Sequence, residues 1–179
     1  IVPTADETVR ILFSKESAGQ IKALPEEITP KKDLRWNLRE SRDNIQITLD
    51  KLIVIITRKT GALEFFTKSG VPLLSESPTL PRQYHGMKDT WWEYFAWSKK
   101  ENLSTRGATD DVWTDLTQCA KYISHGKDSP RPALLMSAKG YQLLIPGGIR
   151  TLVCTISAHG PYLCFEDTGC IDYFFRALR

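Results

Sequence analysis

The residues best suited to chemistry lie close together, in Thr-Asp-Asp-Val-Trp-Thr-Asp, where Asp110, Asp111 and Asp115 surround Trp113. A carboxylate accepts hydrogen bonds from sugar hydroxyls, and an aromatic ring stacks on the C–H face of a pyranose, so this combination is what a sugar site needs. Hydrolysing a glycosidic bond would require two acids placed on either side of that bond. The simpler reading is a solvent loop with one anchored tryptophan. A second concentration of aromatics, Trp91, Trp92, Tyr94, Phe95 and Trp97, precedes this stretch. It suits a binding surface, a sandwich core or a domain interface equally well.

Other chemistry finds less support. His85, His125 and His159 are far apart, and no metal-binding spacing such as H-E-x-x-H joins them. His125 and His159 read most simply as loop and turn residues. No G-x-S-x-G elbow, P-loop or G-x-G-x-x-G occurs. Cys119, Cys154, Cys164 and Cys170 contain no C-x-x-C pair and fit no zinc template. A disulfide between Cys154 and Cys164, across a hairpin centred on His159, is geometrically feasible. Buried free thiols are the preferred reading, because strand-rich cores use cysteine as a small hydrophobe. Nothing in the sequence asks for a cofactor.

Strands must position these residues. Arg131 to Ile145 reads as one hairpin, with strands Ala133 to Ser137 and Tyr141 to Ile145 around the turn Ala138-Lys139-Gly140. Further strands are expected at Glu7 to Ser14, Leu34 to Arg39, Asn44 to Leu49, Ala62 to Thr67, Val71 to Ser75, Arg150 to Ser157, Tyr162 to Asp167 and Cys170 to Arg176. Lys51 to Thr57 is a continuous β-branched run, which predicts a strand buried on both faces. Ser17 to Lys32 reads as a loop with a short helical turn near Glu26-Glu27. Leu80 to Gln118 is read as strands and loops. About a dozen short strands with turn signals and no long helix predict an all-β sandwich or barrel, in one domain over residues 1–179.

Composition narrows the partners. The chain has 179 residues, 41% of them hydrophobic, and a net charge of +3. Lysines and arginines are scattered in short clusters such as Lys31-Lys32 and Lys99-Lys100, without the basic stripe of a nucleic-acid binder. No apolar run approaches membrane-spanning length. The sequence opens on Ile1 with no visible signal peptide, which reads as a processed or trimmed chain and leaves the compartment unread.

Three stretches, in order, resemble the N-terminal β-sandwich domain of glycoside hydrolase family 31, the α-glucosidase and α-xylosidase family. Lys51 to Glu76 has the family's strand, a Lys-Thr-Gly turn, a strand, a second turn and a Leu-Leu strand. Asn102 to Asp115 is similar to the family's Leu-Asn-x-Arg-Gly followed by a segment ending in aspartate. Pro132 to Gln142 and Ile171-Asp172-Tyr173-Phe174-Phe175 are similar to its Pro-x-x-x-Ser-x-x-Gly-Tyr-Gly and Leu-Asp-Tyr-Tyr-Phe. The sequence departs from the family at Tyr84-His85-Gly86-Met87-Lys88, where Tyr-Gly-Leu-Gly-Glu is usual, and at Gln142, where glycine is.

The resemblance implies a galactose-mutarotase-like sandwich (supersandwich) preceding a (β/α)8 barrel, which would begin shortly after Arg179. It places the nucleophile and general acid of a retaining mechanism in that barrel, so none of the catalytic residues falls in this sequence. It implies that a loop of the sandwich shapes the sugar subsites, with Asp115 as acceptor for a substrate hydroxyl and Trp113 beside it. The implied partners are an α-linked oligosaccharide or glycoside and the barrel of the same chain. Two other readings compete. One is a stand-alone carbohydrate-binding sandwich with Trp91, Trp92 and Trp97 as a stacking platform. The other, less favoured, is an aldose-epimerase-like enzyme using a histidine acid and a carboxylate base. If the first reading holds, the Trp-rich segment is the expected apolar face for the barrel.

Overall fold

The computed structural model describes residues 1–14, 31–98, 101–107, 112–129 and 131–178. Its strands in chain order are β1 (Val2–Ala5), β2 (Thr8–Ser14), β3 (Asn37–Glu40), β4 (Asn44–Thr48), β5 (Leu52–Thr57) and β6 (Leu63–Thr67). There follow β7 (Pro72–Ser75), β8 (Arg82–His85), β9 (Thr90–Tyr94), β10 (Leu103–Arg106), β11 (Trp113–Asp115) and β12 (Ala120–His125). The last are β13 (Ala133–Ser137), β14 (Tyr141–Ile145), β15 (Arg150–Cys154), β16 (Tyr162–Glu166) and β17 (Cys170–Ala177). The all-β expectation holds, with seventeen strands among the described residues rather than a dozen. The expected loop from Ser17 lies outside the described residues as far as position 30, and so do Asp110, Asp111, Lys99 and Lys100.

Pairing is antiparallel throughout, in three sheets. One has seven strands in the order β1-β2-β17-β14-β13-β10-β11; two have five, β12-β15-β16-β9-β8 and β3-β4-β5-β6-β7. Both smaller sheets cover one face of the large one, as β17 demonstrates. Alternation sends Ile171, Tyr173 and Phe175 to the same side. Phe175 stacks on Phe65 of β6 at 4.0 Å between centroids, and Tyr173 stacks on Phe165 of β16 at 6.4 Å. All four rings are essentially inaccessible to solvent. Burying each contributes about 1.5–3 kcal/mol, and stacked geometry adds to it.

The two small sheets meet along a seam, joined by a β-bridge between Glu76 and Phe95. Charge is buried there. Arg82 pairs with Glu76 and donates to the carbonyl of Gly61 at 3.0 Å; its Nε lies 3.5 Å from Glu93. The amide of Leu63 donates to Glu76 at 2.8 Å, and the Tyr173 hydroxyl donates to Glu93 at 3.1 Å. Two carboxylates thus share one guanidinium away from water. Burial first, and the Glu93 charge second, hold the Glu76 carboxyl well above the ordinary glutamate range.

Two expectations are corrected. β5 is fully buried on one side only: Leu52 and Val54 face the core, while Ile53 and Ile55 stay half-buried. His125 closes strand β12 rather than sitting in a loop. The reading of strands and loops holds for Thr90 to Ser98, where β9 forms.

Candidate functional site

Trp113 and Asp115 are two residues apart on β11, so both side chains leave the same face of the seven-stranded sheet. Register decides which face. Asp115 lies opposite Ser104, which lies opposite Met136; Trp113 lies opposite Arg106, which lies opposite Leu134. Leu135 and Thr105, on the alternate positions, are fully buried against the smaller sheets. Trp113 and Asp115 therefore stand on the outer face, at the sheet's edge. Their immediate surroundings form an open groove of about 480 Å³, lined by both residues together with Ser104 and Met136. Trp113 is 45% exposed, and no aromatic ring stacks on it among the described residues.

The carboxylate of Asp115 is held rather than free to swing. One oxygen accepts the Thr117 amide at 2.8 Å and the Thr117 hydroxyl at 2.7 Å. These bonds lower its pKa below the ordinary aspartate range, so it is an acceptor at neutral pH. The residue after it is an anchor. Leu116 is fully buried, its amide donates to Leu103 at 2.9 Å, and its carbonyl accepts the Thr155 hydroxyl at 2.9 Å.

Behind this turn lies a second groove of about 510 Å³, with Trp97, Glu101 and Leu116 among its lining residues. Sequence reasoning did not single out Glu101. Its carboxylate is buried and accepts the Ser137 hydroxyl at 2.7 Å and the Tyr141 hydroxyl at 2.6 Å. Lys139 approaches its other oxygen at 2.8 Å, and the Trp97 indole donates to the Tyr141 oxygen at 2.8 Å. Burial and the Glu101 charge push the Tyr141 phenol well above its usual pKa. The Ser-x-x-Gly-Tyr spacing of the hairpin was the available signal. Gly140, at φ +90°, makes the turn that brings both hydroxyls to one carboxylate.

The tryptophan platform is corrected. Trp91 and Trp97 are 6% and 7% exposed and belong to the core. Trp92 alone reaches the outer face of its sheet, half-buried and stacked on Tyr162 at 5.8 Å. No histidine lines either groove. His125 packs on Tyr122 and His85 lies near Trp92, so they do not meet in one cleft. All four cysteines are free thiols. Cys154 pairs with Tyr162 and Cys164 with Leu152, so the two are diagonal neighbours, not partners. Among the described residues no cluster of three or more His, Cys, Asp or Glu could hold a metal ion, and no helix is long and apolar enough to cross a membrane.

No protein-family model matches this sequence, and no curated protein matches it significantly. Solved structures do. An α-xylosidase of glycoside hydrolase family 31 from a soil metagenome, complexed with xylose, matches 98% of the chain and 29% of its own, with TM-score 0.74 and 16% identity. The fold is that of a segment of family 31 enzymes. A Flavobacterium johnsoniae family 31 dextranase, complexed with isomaltotriose, matches 97% of the chain and 23% of its own, with TM-score 0.73 and 15% identity. A cycloalternan-forming enzyme from Listeria monocytogenes, in complex with a pentasaccharide substrate, matches 97% and 18%, with TM-score 0.72 and 13% identity. The chain therefore spans less than a third of the enzymes it resembles.

Proposed function

We propose that this chain is the N-terminal β-sandwich domain of a family 31 glycoside hydrolase. It packs on a (β/α)8 barrel in the same protein and lends Trp113 and Asp115 to the sugar subsites. The parent enzyme hydrolyses α-glycosidic bonds with retention, using two carboxylates supplied by the barrel. The likeness of almost the whole chain to a fraction of much longer family 31 enzymes carries this reading. The placement of Trp113 and Asp115 supports the rest. An accessible indole and an ionised carboxylate stand two positions apart at a sheet edge, where the ring can stack on a pyranose and the carboxylate can accept a hydroxyl. The burial of Trp91 and Trp97 removes the platform on which the stand-alone binding module rested.

The reading frame of the native gene beyond the codon for Arg179 is the test. Several hundred further codons with alternating strands and helices and a Trp-x-Asp-x-Asn-Glu-like motif are expected. A stop codon directly behind Arg179 would overturn the proposal.

A further inference from the structure

Of the five tryptophans, three have ring neighbours and are buried or half-buried, while Trp36 and Trp113 are nearly half exposed, at 48% and 45%. Trp36 immediately precedes β3. No ring stacks on it and no acceptor takes its indole N–H among the described residues. Strand alternation puts it on the face of Leu38, itself 51% exposed.

The ring lines a groove of about 710 Å³, larger than either groove beside Asp115. That size falls in the range of small-ligand sites, about 300–1,000 Å³. The rim is polar but balanced: Asp6, Asp33 and Asp50 stand against Lys31, Arg35 and Lys68. Lys31 and Asp6 already pair at 2.5 Å, and Lys68 also donates to the Leu49 carbonyl at 3.3 Å. A phosphate or a basic peptide would meet as much repulsion as attraction. The frame is held by backbone bonds, with the Lys31 amide on Thr4 and the Lys51 amide on Asp6, both at 3.0 Å. An accessible indole among donors and acceptors of no net charge suits a neutral, hydroxyl-rich ring compound.

We propose that the Trp36 groove is a second oligosaccharide-binding site, separate from the Trp113 edge. One pyranose stacks on the indole, and its hydroxyls bond to the surrounding carboxylates and ammonium groups. The two tryptophans belong to different sheets, Trp36 preceding β3 and Trp113 opening β11, and their grooves share no lining residue. The residues that line the Trp36 groove all belong to this chain.

Calorimetric titration of the 179-residue chain with maltohexaose and with isomaltotriose is the test. Saturable millimolar binding of at least one of them is expected. Trp36→Ala should weaken it about tenfold or more, and Trp36→Phe, which keeps a ring, should retain most of it. Asp33→Ala, an exposed change, should weaken binding with no change in melting temperature, which separates lost contacts from lost folding. Absence of saturable binding, or equal binding by the wild type and Trp36→Ala, would overturn the proposal. So would a loss caused by Trp113→Ala alone, which would leave the subsite reading standing.

Discussion

Arg10 holds Asp172 with a two-pronged grip: Nε reaches one carboxylate oxygen at 2.8 Å and a terminal nitrogen reaches the other at 2.7 Å. Both side chains are almost fully buried, and Arg10 also lies over the Phe174 ring at 5.4 Å. The pair lies 162 residues apart in sequence and staples β2 to β17. Removing Asp172 takes a buried, two-pronged charge partner from Arg10. Asp172→Ala should therefore cost about 3–5 kcal/mol, whereas the double change Arg10→Met with Asp172→Leu should cost much less. Urea unfolding of the three proteins measures this, and equal losses in the single and double variants would contradict it.

Stability should fall as pH rises, because of the seam. The folded-state pKa of Glu76 is raised, so the stabilisation is complete below the unfolded value, about 4.3, and is lost as pH climbs through the raised one. Glu93→Gln removes the second cause of the shift and should flatten the curve. Melting temperatures of wild type and variant between about pH 5 and 9 decide the matter; parallel curves would show that the Glu93 charge does not raise the Glu76 carboxyl.

In the parent enzyme proposed above, Asp115→Ala should raise KM for an oligosaccharide several-fold and leave the melting temperature nearly unchanged. The side chain is exposed, and its bonds are local ones to Thr117. An exposed substitution of this kind moves stability by about 0.5 kcal/mol or less. An unchanged KM would remove Asp115 from the subsite.

Cys164 should resist alkylation in the native protein. Burial pushes its thiol up to about 12, so almost no thiolate exists at neutral pH. Mass spectrometry after iodoacetamide treatment should find it unmodified until urea is added. Modification at the rate of a free thiol in the native state would refute its burial.

The sequence reveals most where local pattern and tertiary environment agree. The hairpin Ala133 to Ile145 is read to the residue, because its alternation is regular and Gly140 supplies the turn. β12 went unread because its register shifts between Tyr122 and Ser124, which breaks the period of two. The Trp-rich segment was ambiguous because Glu93 occupies an inward position that periodicity assigns to an apolar residue. Its compensation comes from Arg82, opposite it on β8, and from Tyr173 on the distant β17. The common face of Trp113 and Asp115 follows from spacing alone. Their neighbours Ser104, Arg106 and Met136 depend on register between strands, which no local pattern encodes.

β17 is the last strand in chain order, yet it occupies the third place among seven, between β2 and β14. A ribosome that has delivered everything up to residue 169 has made a sheet in two pieces, with two open edges where the centre should be. Closure waits for eight residues, Cys170–Ala177, and the nascent chain must keep those edges from other partners until they emerge. Assembly of this sandwich is thus exposed to misassembly until its final strand emerges, when most of its core residues have already been made.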